Sequence, residues 1–143
     1  MEYYSSRKLG RTFIISLAQG DFILESISEL IEKENIDNAY VVSGIGTLDQ
    51  YQIHMITSIG YPPVDYFESK RFKPYEVAAI QGAIVSGAPH LHVVISDTEH
   101  TYAGHLENGC RVMYLAEIVI QEIEGLSLER TRNEKQILRI TEK

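Results

Sequence analysis

Pro89-His90-Leu91-His92-Val93-Val94-Ile95-Ser96 places apolar side chains at every second position, Leu91, Val93 and Ile95. A period of two predicts a strand with one face turned to a core. Asp97-Thr98-Glu99 ends it, and the polar stretch Asp97 to Thr101 lets the chain double back before Tyr102-Ala103-Gly104-His105-Leu106. Upstream, Ser86-Gly87-Ala88-Pro89 is a turn. Tyr75 to Val85 is a strand punctuated by Gly82, and Val64 to Phe72 reads as an edge strand. Gly60-Tyr61-Pro62-Pro63 is a loop, because paired prolines cannot continue a ladder. Tyr51, Ile53 and Met55 alternate with polar residues in another strand. Ala39 to Ser43 is a buried-type run that Gly44-Ile45-Gly46 breaks. Met113 to Ile123 closes the core downstream.

Nearer the start, Arg11 to Leu17 is β-branched and aromatic between Gly10 and Gly20, so it reads as a strand. Asp21 stands where an N-cap belongs. Ile23, Ile27, Leu30 and Ile31 then recur with helical period on one face, and Asn35 is a left-handed stop. The expected fold class is α+β: a single domain over residues 1–143, with a largely antiparallel sheet of about seven strands and one main helix packed on it. Residues 126–143 read as a looser C-terminal tail.

The 143 residues, 44% hydrophobic and 23% charged, suit one soluble globular domain and exclude collagen, coiled coil and wholesale disorder. No apolar run reaches the roughly 20 residues of a membrane-spanning helix. The first residues lack a signal peptide's apolar stretch, and the lone Cys110 cannot form an internal disulfide, so the expected location is cytoplasmic. The net charge is −7. That balance argues against generic duplex binding, which normally needs a basic face.

His90 and His92 are two apart, so both leave the same face of their strand, with Cα atoms about 6.7 Å apart. Their imidazoles can converge on one ion, while Leu91 and Val93 face the core. If the chain doubles back after Ser96, His105 arrives beside them. Three histidines make a nitrogen site suited to zinc with a coordination position open. By spacing alone, two solvent-facing histidines remain the alternative. His54 and His100 read as surface residues. Cys110 reads as a small buried hydrophobe rather than a nucleophile. Gly44-x-Gly46 lacks the third glycine and the following helix of a dinucleotide loop, so it reads as a tight bend.

The chain resembles the plants-and-prokaryotes-conserved (PPC) domain family in its prokaryotic stand-alone form. The resemblance rests on Gly44-Ile45-Gly46-Thr47-Leu48, Tyr75-Glu76-Val77 with Gly82, His90-Leu91-His92, Gly104-His105-Leu106, Gly109-Cys110-Arg111-Val112, Ala116-Glu117-Ile118 and Leu128-Glu129-Arg130. It implies a helix on an antiparallel sheet, a homotrimer, and a metal site at His90, His92 and His105 that is usually taken as zinc, one ion per chain. It also implies a link to DNA or transcription. Plant relatives supply their minor-groove contact through AT-hooks, and no R-G-R-P element of that kind occurs here. The usual pair of glycines before the third histidine is Ala103-Gly104.

Three functions compete. The first is a trimeric metal-binding module that touches DNA through Arg130, Arg132, Lys135 and Arg139. The second is a zinc-dependent enzyme acting on a small molecule at an open three-histidine site, with Glu76 and Glu117 as acid/base candidates. The third is a partner-binding trimer whose nine tyrosines suit an interface.

Overall fold

A computed structural model describes all residues, Met1–Lys143. The elements in chain order are β1 (Lys8–Ala18), α1 (Ile23–Glu34), β2 (Ala39–Ile56), β3 (Asp65–Val85), β4 (Ala88–Ser96), β5 (Thr101–Leu106), β6 (Arg111–Glu124), β7 (Leu128–Arg132) and β8 (Leu138–Glu142). Six strands form one antiparallel sheet in the order β1-β6-β2-β3-β4-β5, and β7-β8 is a separate hairpin. The class is α+β, with eight strands rather than about seven.

α1 buries Ile23, Ile27 and Ile31 against the sheet. It ends at Asn35, whose φ of 54° lets the amide of Ile36 reach back to the carbonyl of Ile31. Its start differs from the expectation. Phe22 occupies the cap position, and the Asp21 carboxylate instead accepts the amide of Ala18.

Two strands are longer than the sequence reading allows. Gly44 and Gly46 do not end β2: the ladder to β6 runs through them with shifted register. Phe72, Lys73 and Pro74 do not separate two strands. β3 carries a bulge there, with Phe72 at φ 60°, and continues. The tail is a hairpin. Buried Asn38 donates to the carbonyl of Leu126, Leu128 is buried, and the amide of Lys143 bonds the carbonyl of Ser127. No helix is long and apolar enough to cross a membrane.

The sheet rolls up at one end. The far half of β2 pairs with β3 on one side and meets β5 on the other, at Ile53↔Leu106 and His54↔His105. This closure sets the site.

Candidate metal centre

In β4, Leu91, Val93 and Ile95 are buried at 1% exposure or less, so His90 and His92 leave the opposite face. The turn that reverses the chain is built by Asp97, whose Oδ1 accepts the amides of Glu99 and His100. β5 then returns in a register that sets His105 opposite His92. Ring centres lie 5.5 Å apart for His90–His92, 5.0 Å for His90–His105 and 5.7 Å for His92–His105. An ion bound by imidazole nitrogens at their usual length sits about 3.2 Å from each ring centre. Two rings at a tetrahedral angle are then about 5 Å apart, close to the spacing observed. The three histidines singled out from the sequence cluster on one face, while the set whose ligand atoms all come within 4.8 Å of one another is His54, His105 and Glu107.

Burial holds the His90 and His105 imidazoles below their ordinary pKa. For His90 the neighbours His105 and Arg130 add to the effect. For His105 the nearby His54 adds to it and Glu107 opposes it. A neutral imidazole keeps the lone pair that a metal needs.

Two further residues join the cluster. His54 lies beside His105, with ring centres 4.5 Å apart in a stack. Glu107 Oε1 is 2.6 Å from His54 Nδ1 and 3.1 Å from His105 Nδ1. The second contact is off-line, so the buried His105 Nδ1 has no hydrogen-bond partner. In the set of His54, His105 and Glu107 the ligand atoms are near enough to one another to take an ion as the side chains stand. Stacked rings cannot both aim in-plane lone pairs at one tetrahedral centre. Glu107 is instead hydrogen-bonded to His54.

The sequence reading missed both residues. Glu107 was detectable, because it lies two positions after His105 and so shares its side of the chain. His54 was not, because only the β2–β5 closure brings it here. Gly104 makes that closure possible, since a Cβ on it would lie 2.6 Å from the carbonyl oxygen of His54. Gly82 does the same between β3 and β4, where a Cβ would collide with the carbonyl of His90.

The histidine face opens onto cavities. One of about 410 Å³ is lined by all four clustered histidines with Ala103 and Gly104. A second of about 380 Å³ lies between His90, His92 and the C-terminal hairpin, with Arg130 in its wall. A larger groove of about 700 Å³ runs past His54, His90 and His105 to Arg130 and Arg132. These sizes suit small ligands.

The other candidates lie elsewhere. Glu76 and Glu117 are exposed strand residues, paired opposite Ser96 and Ser16, and line none of these cavities. Their place as acidic neighbours of the histidines is taken by Glu107. Cys110 is fully buried, its thiol pushed up to about 11 by burial, and it exchanges hydrogen bonds with the backbone of Gln52. That is the inert role the sequence suggested. His100 is exposed in the Asp97 turn.

A family model described as the Plants and Prokaryotes Conserved (PCC) domain matches residues 4–124. Curated relatives from two Synechococcus strains, both named Bifunctional protein GlmU, are 26% identical over 113 residues. The match takes in 78% of this chain but only 17% of each relative's length. Among solved structures, a plant- and prokaryote-conserved protein of Pyrococcus horikoshii is 25% identical with a TM-score of 0.81, over 99% of this chain and 98% of its own. A metal-containing protein of Archaeoglobus fulgidus is 22% identical with a TM-score of 0.78, over 96% of each chain. A candidate DNA-binding protein of Bacteroides thetaiotaomicron is 19% identical with a TM-score of 0.77, also over 96% of each. The last two likenesses speak to the fold alone. With the family model spanning most of its length, the chain belongs to the Plants and Prokaryotes Conserved domain family.

Proposed function

We propose that this protein is a homotrimeric metal-binding member of its family, with one zinc-class ion per chain held by His90, His92 and His105. The observation that supports the reading is the clustering of three imidazoles from β4 and β5, with ring centres 5.0 to 5.7 Å apart. The metal-containing Archaeoglobus protein, of the same fold, supports it. Three protein ligands leave a position open, where a bound ion polarises a carbonyl or activates water. Beside it, Glu107 holds His54 Nδ1 at 2.6 Å and lies 3.1 Å from His105 Nδ1. The open position and the adjoining cavity favour chemistry on a small molecule over a purely structural ion, which four protein ligands normally enclose.

Elemental analysis of protein purified without a histidine tag tests this. About one ion per chain is expected, lost in His92→Ala and retained in His54→Ala. Substoichiometric metal that His92→Ala leaves unchanged overturns the reading. Metal lost in His54→Ala but kept in His92→Ala assigns the ion to the His54, His105 and Glu107 set instead.

A second reading, DNA binding, draws on the name of the Bacteroides protein and on the arginines of the C-terminal hairpin. It is the weaker one. Arg130 donates to the carbonyls of Ala83 and Ala88, and Arg132 donates to that of Gln136, so these cations are partly engaged within the fold.

A further inference from the structure

Arg130 is a half-buried cation with no carboxylate partner. Arg11 is paired with Glu34 and Glu122, and Arg111 clamps Asp49 through two nitrogens. Arg130 has only backbone carbonyls. Its NH1 donates to Ala88 at 2.6 Å and its NH2 to Ala83 at 3.1 Å. A chain with 20 acidic residues has not supplied one here. A guanidinium carries five N–H donors, so about three remain to be used. Burying a charge without a counter-ion is costly, and burial alone holds this guanidinium below its ordinary pKa.

Its position is fixed beside the histidines. Ala83 pairs with His90 across the β3–β4 ladder, so the bond to the carbonyl of Ala83 sets the guanidinium one strand from the His90 imidazole. Arg130, His90 and His92 line one cavity, and Arg130, Arg132, His90 and His105 line the groove that continues it. Asp65 also lines the groove but forms no ion pair with either arginine. Glu107, the carboxylate nearest the histidines, is engaged by His54.

We infer that Arg130 is the oxyanion-binding residue of a small-molecule site: the ligand's carboxylate or phosphate pairs with its free N–H groups, and a second ligand oxygen faces the three histidines. A planar fork is the side chain best shaped for this recognition. The cavities of about 380 and 700 Å³ admit a small metabolite and not a duplex. The inference rests on the metal reading for the second contact only. The oxyanion contact stands without it.

The test uses the full chain labelled with ¹⁵N, both stripped of metal and reloaded with zinc. The probes are glycolate and inorganic phosphate. The Arg130 Nε–H signal, identified by its loss in Arg130→Lys, is followed in each titration. A saturable shift is expected in both preparations, strengthened for glycolate when zinc is present. Arg130→Lys keeps the charge, loses the fork, and weakens binding by about tenfold or more, read from the backbone amide signals of Gly82, Ala83 and His90, which line the same cavity. Saturation by glycolate alone assigns a carboxylate ligand, and saturation by phosphate alone a phosphorylated one. An Arg130 signal that stays still with both probes to about 100 mM overturns the inference, whether or not the variant folds. Zinc content measured on the same samples separates the two claims. Full loading with a silent Arg130 removes the oxyanion site alone. A responding Arg130 without stoichiometric zinc removes the metal centre alone.

Discussion

A single missing side chain decides whether His54 and His105 can meet. A Cβ on Gly104 would press on the His54 carbonyl oxygen at 2.6 Å and on Met55 at 3.3 Å. The first obstacle is backbone in a paired strand, which cannot swing aside. Gly104→Ala is therefore expected to cost about 1–3 kcal/mol, the usual range for forced overpacking, and to pry β5 from β2. Gly60→Ala is the control, because nothing lies within 4 Å of its added Cβ. It is expected to stay within about 0.5 kcal/mol of wild type. Thermal unfolding of both variants decides this, and equal melting temperatures would show that the close approach is unimportant. The same residue explains a feature of the sequence motif. Ala is tolerated at 103, next to the glycine, while position 104 has no space to give.

At the scale of the element, the turn between β4 and β5 carries the site, since it brings His105 back to His92. Asp97 organises it. Its side chain is 3% exposed, and Lys73 Nζ contacts Oδ2 at 2.7 Å. The hydrogen bond from Lys73, then those from the amides of Glu99 and His100, hold its carboxyl well below the usual carboxylate range. A depressed folded pKa means stability that is present above the ordinary value of 3.8 and is lost as pH falls through the lower folded value. Asp97→Asn is expected to lower the melting temperature at neutral pH and to flatten the loss of stability below about pH 4. Unfolding curves for both proteins between pH 2 and 7 test it, and parallel curves would remove Asp97 from the account. This turn was legible because its signals are local: a short polar stretch after an alternating strand. The helix was legible for the same reason, its isoleucines repeating every turn and Asn35 supplying the stop. The extents of β2 and β3 were not. Gly44, Gly46 and Pro74 are ordinary chain breakers, yet tertiary pairing absorbs them as bulges and register shifts. The convergence of His90, His92 and His105 needed only strand period and one reversal. His54 depends on a pairing some fifty residues away that no local pattern announces.

At the scale of the whole molecule, β2 and β6 leave Tyr40, Val42, Ile45, Tyr114 and Leu115 exposed on adjacent strands. Subunit association would cover them, so light scattering at micromolar concentration is expected to give about three times the chain mass of 16.2 kDa. Val42→Lys combined with Leu115→Lys is expected to return a folded species of single-chain mass. A wild-type mass of 16.2 kDa would exclude the trimer.

Assembly then bears on DNA. In the expected trimer three chains at −7 each would give −21, which would oppose a polyanion at long range. Salt at about 0.15 M screens that field beyond roughly 8 Å, so only a local basic patch could bind. The richest candidate, residues 129–143, is interrupted by Glu134 and Glu142. Two of its arginines are engaged, Arg132 by a backbone carbonyl and Arg139 by Glu2 at 3.6 Å, and Arg130 lines the cavity beside His90 and His92. Duplex affinity is therefore expected to be no tighter than about 10⁻⁴ to 10⁻⁶ M at physiological salt, the range of non-specific contacts. Fluorescence polarisation across a salt series, for wild type and for Arg132→Ala, Lys135→Ala and Arg139→Ala combined, measures it. Weak binding that the variant leaves unchanged fits a protein whose basic hairpin serves its own cavity. Nanomolar binding that falls steeply with salt and vanishes in the variant would instead make the hairpin a nucleic-acid contact. That outcome would leave Arg130, set apart from the tested residues by its bonds to Ala83 and Ala88, to be judged by the oxyanion titration alone.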